Sequence, residues 1–493
     1  MATYEGAVPA GEVKAGSLPA WRVMDLPAPP PYNFKNVMAI IGPGAILLGV
    51  SIGSGEWLLG PAAAVSYGAP ILWIVTVSCV LQVLLNMEMI RYTLYTGEPI
   101  YTGFMRTAPG PTFWGWVYSI LGWLQVGWPG WAATAATAIA AFALGRLPGA
   151  GDAGTVLMWG YVTFLLVIVL LFLGRKVERT LEYAEWFMVA WIFIFLLFVD
   201  IFMVSAQTWV KTVTGLFQFG NIPSGADWVL LGAFAAYAGA GGVTNGFVTN
   251  WVRDKGWGMG STVGYIPGAI GGEKTELKRT GNVFKPTEKN QANWKAWYRY
   301  VDVDQYWLWF GGALLGMLLT VTLSVNFVPA GTKLSGLAIA AYQADAMARI
   351  AGQIFWPLTL LNGFWILFST QLGISEGYVR MITDIGWTGS ATIRRWAKGD
   401  VRRVYYTILL FFAIWGCIAL NLAQPFLLIQ IGANMAGLVF VFLSVHTIVV
   451  NRKFLPPELR PSLWREIALV LCALFFAFFV SMLVLYQVFG MKF

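Results

Sequence analysis

Charged residues make up only 11% of this 493-residue chain. A soluble chain of that length would be expected to form about three domains with charged surfaces, and so little charge excludes that class. Histidine is nearly missing as well. The single one, His446, falls at the end of a predicted membrane span and reads as a satisfied interfacial residue rather than a metal ligand or pH sensor. Cys79, Cys417 and Cys472 lie far apart within predicted spans, which excludes a zinc spacing and a disulfide framework and leaves them as packing residues. No Walker motif, nucleophile triad or metal-hydrolase signature is present. The stretch "GMGSTVG" lacks the terminal Lys and the preceding strand of a phosphate loop. Nothing points to an enzyme or to a bound cofactor.

What the chain has is apolar length. Hydrophobic residues reach 58% and the mean hydropathy is +0.65. Runs long enough for a ~30 Å hydrocarbon core occur at 36–66, 70–95, 112–145, 156–174, 181–204, 226–250, 305–328, 352–383, 403–421, 424–450 and 464–489. They predict an all-α integral membrane protein with eleven transmembrane helices. Many of the 25 Trp sit near span ends, where indoles favour the interface. The net charge of +8 could suggest a nucleic-acid partner, but 27 of the 32 Lys and Arg fall in the N-terminal tail and at or after the ends of even-numbered spans, counting Arg91 and Arg380 at helix ends. That is the positive-inside pattern. It predicts a cytoplasmic N-terminus, an outside C-terminus and, for location, the cell membrane. The bilayer is then the partner of the basic loops, and no nucleic acid is expected.

The spans divide into two halves. Residues 1–35, mixed polar and Pro-rich, read as an exposed cytoplasmic tail; 36–204 hold spans 1–5, 205–450 hold spans 6–10, and 451–493 hold span 11 and the C-terminus. Each half opens with a span broken by glycine: "IGSGEW" in the first and "AAYAGAGGVTNGF" in the second. Five spans per half mean opposite orientations, the arrangement of inverted-repeat transporters whose discontinuous helices meet at the midplane. A carboxylate at that depth costs about 2.5–3.5 kcal/mol or more, and unwound backbone is tolerated there only where something satisfies it. Glu56, at the start of a half-helix, is placed where the dipole favours a negative charge. The candidate site is therefore Gly53, Ser54, Gly55 and Glu56 with Gly241, Gly242, Val243, Thr244 and Asn245. Close helix packing is the alternative reading of the same glycines.

The order of motifs resembles the Nramp family of divalent-metal transporters, within the leucine-transporter-type fold. The resembling stretches are "IGPGAILLGVSIGSGEW" in span 1, "LLNMEMIRYTLYTGEPIYTGFMR" in span 2, "RTLEYAEWFMVAWIFIFLLF" in span 5 and "LFSTQLGISEGYVRMITD" in span 8. The resemblance implies a five-plus-five inverted repeat with one added C-terminal helix. Where that family has Asp-Pro-Gly-Asn, this chain has Gly53 to Glu56; where it has Met-Pro-His-Asn, this chain has Val243 to Gly246. The thioether and imidazole that favour transition metals are gone. In span 3 the family's Asp and Glu are replaced by Gly130 and Ala133, so its proton relay is not expected.

One carboxylate, freed carbonyls near Ser51 and Ile52, and the amide and hydroxyl of Asn245 and Thr244 form an all-oxygen set suited to a hard divalent ion such as Mg²⁺ or Ca²⁺. Glu56 and Asn245 are the expected metal ligands. The "GSG" turn equally resembles amino-acid permeases, in which backbone amides receive a substrate carboxylate. A transporter-shaped scaffold or sensor that assists another membrane complex is the third reading. Glu88 with Arg91 and Glu376 with Arg380, spaced by three and four, share helix faces and read as neutralised pairs or gates. Asn362, Gln371, Gln430 and Asn434 are expected to line a cavity or link helices. The loop 251–304 reads as solvated and close to lipid headgroups, with a lid over the vestibule as the alternative.

Overall fold

The computed structural model describes residues 12–273, 276–334 and 340–491. Among them, nine helices are long and apolar enough to cross a membrane. The other two expected spans are each split into shorter halves. In chain order we label α1a (Pro43–Ser51) and α1b (Gly60–Tyr67), α2 (Trp73–Thr96), α3a (Pro111–Val126) and α3b (Gly130–Leu144), α4 (Ala153–Phe172) and α5 (Val177–Met203). The second half supplies α6a (Trp228–Tyr237) and α6b (Val243–Lys255), α7 (Gly311–Phe327), α8 (Phe355–Gly389), α9 (Val401–Ala419), α10 (Pro425–Phe454) and α11 (Leu463–Phe489).

The breaks have local causes. In α1 the helix stops at Ser51 and resumes through a π turn at Gly55–Leu59. In α6 the segment 238–242 holds Gly239, Gly241 and Gly242 at φ of 124°, 85° and 54°, a region that side chains on Cβ disfavour. Asp227 fixes the start of α6a by accepting from the amides of Val229 and Leu230. The third break, in α3, was not expected. Pro129 has no amide to continue the ladder, and the Gly127 carbonyl accepts from Trp415 Nε1 at 2.7 Å instead.

α1a lies between α5 and α8, α6b packs on α2 and α8, and α6a packs on α10 and α11. Two sequence expectations fail at one end of this bundle. The tail is not wholly exposed over its described part: β1 (Glu12–Val13) and β2 (Trp21–Val23) pair antiparallel, β2 pairs parallel with β3 (Asn282–Val283), and Ala15, Leu18, Trp21 and Leu26 are buried, while 31–35 stay exposed. Trp21 is buried, donating to Glu98 at 2.9 Å and lying under the Arg106 guanidinium. The loop 251–304 is not wholly solvated either. Its described residues include buried Trp257, Met259, Ile266, Val283 and Phe284, and the helix Glu288–Asp302 runs through a π turn into α7. Its aromatic residues fill an intramolecular core.

Candidate functional site

The two expected breaks adjoin. A Cβ added to Gly55 would run into the Tyr237 carbonyl at the end of α6a, and one added to Gly53 would run into Thr370 Oγ1 of α8. Both glycines are therefore required for close approach, so the packing reading holds for them. The ionisable side chain at this junction is Glu56. It is fully buried, and its Oε2 accepts from the Gly53 amide at 3.0 Å. This is the backward reach of a capping-box glutamate, three residues to an otherwise free donor. The Gly239 amide, from the other break, lies close enough to act on the same carboxylate. Oε1 has no hydrogen-bond partner, and no Lys or Arg among the described residues is near enough to neutralise the group.

The α6 break is closed by two glutamines. Gln82 of α2 accepts from the Ala240 and Gly241 amides at 3.0 and 3.4 Å and donates to the Ala238 carbonyl at 3.0 Å. Gln125, at the end of α3a, accepts from the Val243 amide at 2.8 Å and donates to the Gly241 carbonyl at 2.7 Å. Each side-chain amide carries both a donor and an acceptor, so two residues satisfy most of the unwound backbone. Sequence reasoning missed both, although a glutamine inside an apolar span is itself a signal for such a duty. The α3 break is what brings Gln125 to this level.

Of the remaining expected site residues, Thr244 spends its hydroxyl on the Ala240 and Gly241 carbonyls, and the Val243 carbonyl accepts from Tyr101 at 2.7 Å. Gly242 abuts the Gln125 amide oxygen and Ala436 of α10. Asn245 donates to Gln82 and to Asn86 at 3.2 and 2.9 Å, while its Oδ1 has no partner. Among the described residues no hydrogen bond joins Asn245 to Glu56, and no group of three or more His, Cys, Asp or Glu could hold a metal ion. Ser54 is buried beside Glu56.

The polar residues of α8 and α10 divide. Gln371, next to Thr370, is fully buried with neither amide atom partnered, and Asn362 is in the same condition. Asn434 donates to the Val229 carbonyl at 3.0 Å and so ties α10 to α6a. Gln430 is part-buried, and its carbonyl accepts from Asn434. His446 is satisfied, between Thr107 and Tyr118 at 2.9 Å each and stacked on Phe104.

Both charge pairs form and belong to larger networks. Arg91 donates to Glu88 at 2.6 Å, and Arg465 of α11 reaches the same carboxylate at 3.0 Å. Arg380 pairs with Glu376 and with Asp254 of α6b, Arg253 pairs with Asp254 and Asp384 at 2.6 Å each, and Trp251 donates to Glu376 at 2.7 Å. Asp254 also accepts from the Ile266 amide at 3.1 Å, which ties the 251–304 segment to the same cluster. All these charged side chains are buried except Arg465, which is part-buried.

No protein-family model matches the sequence, and no curated protein sequence matches it. Solved structures do. A mutant of the manganese transporter from Eremococcus coleocola is 15% identical, with 94% of this chain and 91% of that one covered, at a TM-score of 0.63. MHP1, a nucleobase-cation-symport-1 family transporter with bromovinylhydantoin bound in a closed conformation, is 12% identical over 90% of each chain at 0.54. MhsT in complex with L-phenylalanine is 13% identical over 90% of this chain and 97% of that one at 0.50. At such identities the likeness is one of fold, and the chain has the leucine-transporter-type fold that these membrane transporters share.

Proposed function

We propose that this chain is a secondary carrier or facilitator that moves a small cation, a hard divalent metal ion before others, by alternating access around the paired breaks of α1 and α6. The observation that carries this reading is Glu56: a fully buried carboxylate at the junction of both breaks, with one oxygen unpartnered and no cationic side chain beside it. Such a group is costly unless a cation or proton joins it. Asn245 Oδ1 and the amide of Gln371 are further unsatisfied oxygen-bearing groups on the helices that flank the breaks. A hydrated Mg²⁺ needs few protein oxygens, because it keeps several of its waters. The carboxylates that span 3 lacks leave the transport without that relay. The distribution of basic residues supports a cytoplasmic N-terminus and a location in the cell membrane.

One observation weighs against the amino-acid reading. The Gly53 amide, which would greet a substrate carboxylate, is occupied by Glu56. The fold's other occupants keep a small organic ion as the alternative, and a scaffold would bind neither. Thermal unfolding of the purified protein separates them, because a ligand of the folded state raises its stability by mass action. We expect Mg²⁺ or another divalent ion to stabilise the wild type and to have no effect on Glu56→Gln. Stabilisation by an amino acid alone would support the organic-ion reading, and no shift with any of them the scaffold.

A further inference from the structure

Glu178, Glu182 and Glu185 stand at positions i, i+4 and i+7 of α5, which puts three carboxylates on one helix face. α1a runs along that face through its glycines. A Cβ at Gly42, just before α1a, would lie 2.8 Å from the Glu182 carboxyl carbon, and one at Gly49 would strike Glu185 Oε2. From the opposite side, a Cβ at Gly373 of α8 would lie 3.4 Å from Glu185 Oε1. Glu185 is fully buried and neither of its oxygens has a hydrogen-bond partner.

Among the described residues no counter-ion reaches it. α1a, α4 and α7 bring no charged side chain to α5. On α6b, Lys255 is paired with Glu182, and Arg253 and Asp254 are paired within the cluster that also consumes Glu376, Arg380 and Asp384 of α8. On α5 itself Arg179 lies 3.5 Å from Glu182. Glu178 is buried too, and its Oε1 has no hydrogen-bond partner among the described residues. An ionised carboxylate left in such surroundings without partners would cost several kcal/mol, and the usual response is to take up a proton.

We propose that Glu185 is a proton-carrying site, linked to water at the tail end of the bundle through Glu182 and Glu178, and that it stands in for the acidic residues missing from α3. The proposal deepens the carrier reading above and rests on it for its transport role. The step is a reversible protonation: one Glu185 oxygen gains a proton from water on one side and returns it to water on the other, and no other bond changes. Gly42 and Gly49 cover the carboxylates with backbone alone, so a small displacement of α1a, the half-helix that leads to Glu56, exposes them. This couples the proton to the same movement that would open the cation site.

The test has two arms. Infrared difference spectra of the purified protein between acid and alkaline pH should contain the C=O stretch of a protonated carboxyl that Glu185→Gln removes and Glu185→Asp shifts. In proteoliposomes an acid-outside gradient should raise divalent-ion uptake by the wild type and lose its effect in Glu185→Gln, with uptake in the absence of a gradient retained. A Glu185→Gln spectrum that keeps every wild-type carboxyl band, or uptake by that variant that still follows the gradient, would overturn the proposal. So would uptake driven through Glu185 by sodium instead of acid. If Glu185→Gln does not fold, an unshifted band in Glu185→Asp overturns it equally. The infrared arm requires no transported ion, so failure of the carrier reading shows as absent uptake with the Glu185 band intact.

Discussion

Replacing Gln82 by Leu removes the group that closes the α6 break while roughly keeping its volume. Gln82 accepts from the Ala240 and Gly241 amides and donates to the Ala238 carbonyl, and its oxygen also receives Asn245 Nδ2 at 3.2 Å. The Ala238 carbonyl retains Cys79 Sγ at 3.3 Å, so the orphaned groups are chiefly the two backbone amides. A buried donor left without a partner costs about 1–3 kcal/mol, which gives about 2–6 kcal/mol for the pair. The lower end is the better expectation, because helices released within a bilayer find other partners. Gln82→Glu provides the control: protonated, as a buried carboxyl there would be, it keeps the acceptor and one donor where Gln82 offers two, to Ala238 and Ser78. Intrinsic fluorescence of the purified proteins during heating, ordered wild type above Gln82→Glu above Gln82→Leu, is the expected result. A Gln82→Leu variant that unfolds within about 1 °C of the wild type, where 2 kcal/mol should move the midpoint by several degrees, would refute the idea that this side chain closes the break.

Gly55→Ala should be more disruptive than its size suggests, since the new methyl meets a backbone carbonyl at Tyr237 that cannot rotate away. We expect lost expression or a lowered unfolding midpoint, with a wild-type midpoint as the contradicting result. Asp254→Asn removes the carboxylate shared by Arg253 and Arg380. Breaking a buried pair costs about 3–5 kcal/mol, and hydrogen exchange should accelerate in α6b and at Ile266, whose amide Asp254 accepts at 3.1 Å. Unchanged exchange there would show that the cluster does not hold these elements together.

Much of the fold was legible because membrane spans announce themselves by length alone. Nine of the apolar runs answer to helices long enough to span among the described residues, and the glycine breaks of α1 and α6 fall where "GSG" and "AGAGG" stand, the second because Gly239, Gly241 and Gly242 take a backbone that other residues disfavour. The α3 break was hidden because "GWP" lies inside an apolar run long enough to read as one helix, yet Pro129 was its visible cause. Glu56 could be picked out as a charge at the wrong depth. Gln82 and Gln125 could not be assigned, because the partners they serve come from another half of the chain and no local spacing connects them. The tail and the 251–304 segment were misread for a related reason. Their polar, Pro-rich or basic composition suggests solvent, and only tertiary contacts of Trp21, Trp257 and Phe284 with Glu98, α10 and α7's leading helix bring parts of them into the core.

The account turns on whether Glu56 serves a transported cation. Uptake of Mg²⁺, Mn²⁺ and a mixed amino-acid pool into proteoliposomes, wild type against Glu56→Gln, addresses that directly. Divalent-ion uptake by the wild type that Glu56→Gln abolishes, with the variant still eluting as a folded protein, is the predicted result. Divalent-ion uptake unchanged by Glu56→Gln, or no divalent flux beside measurable amino-acid flux, would contradict it.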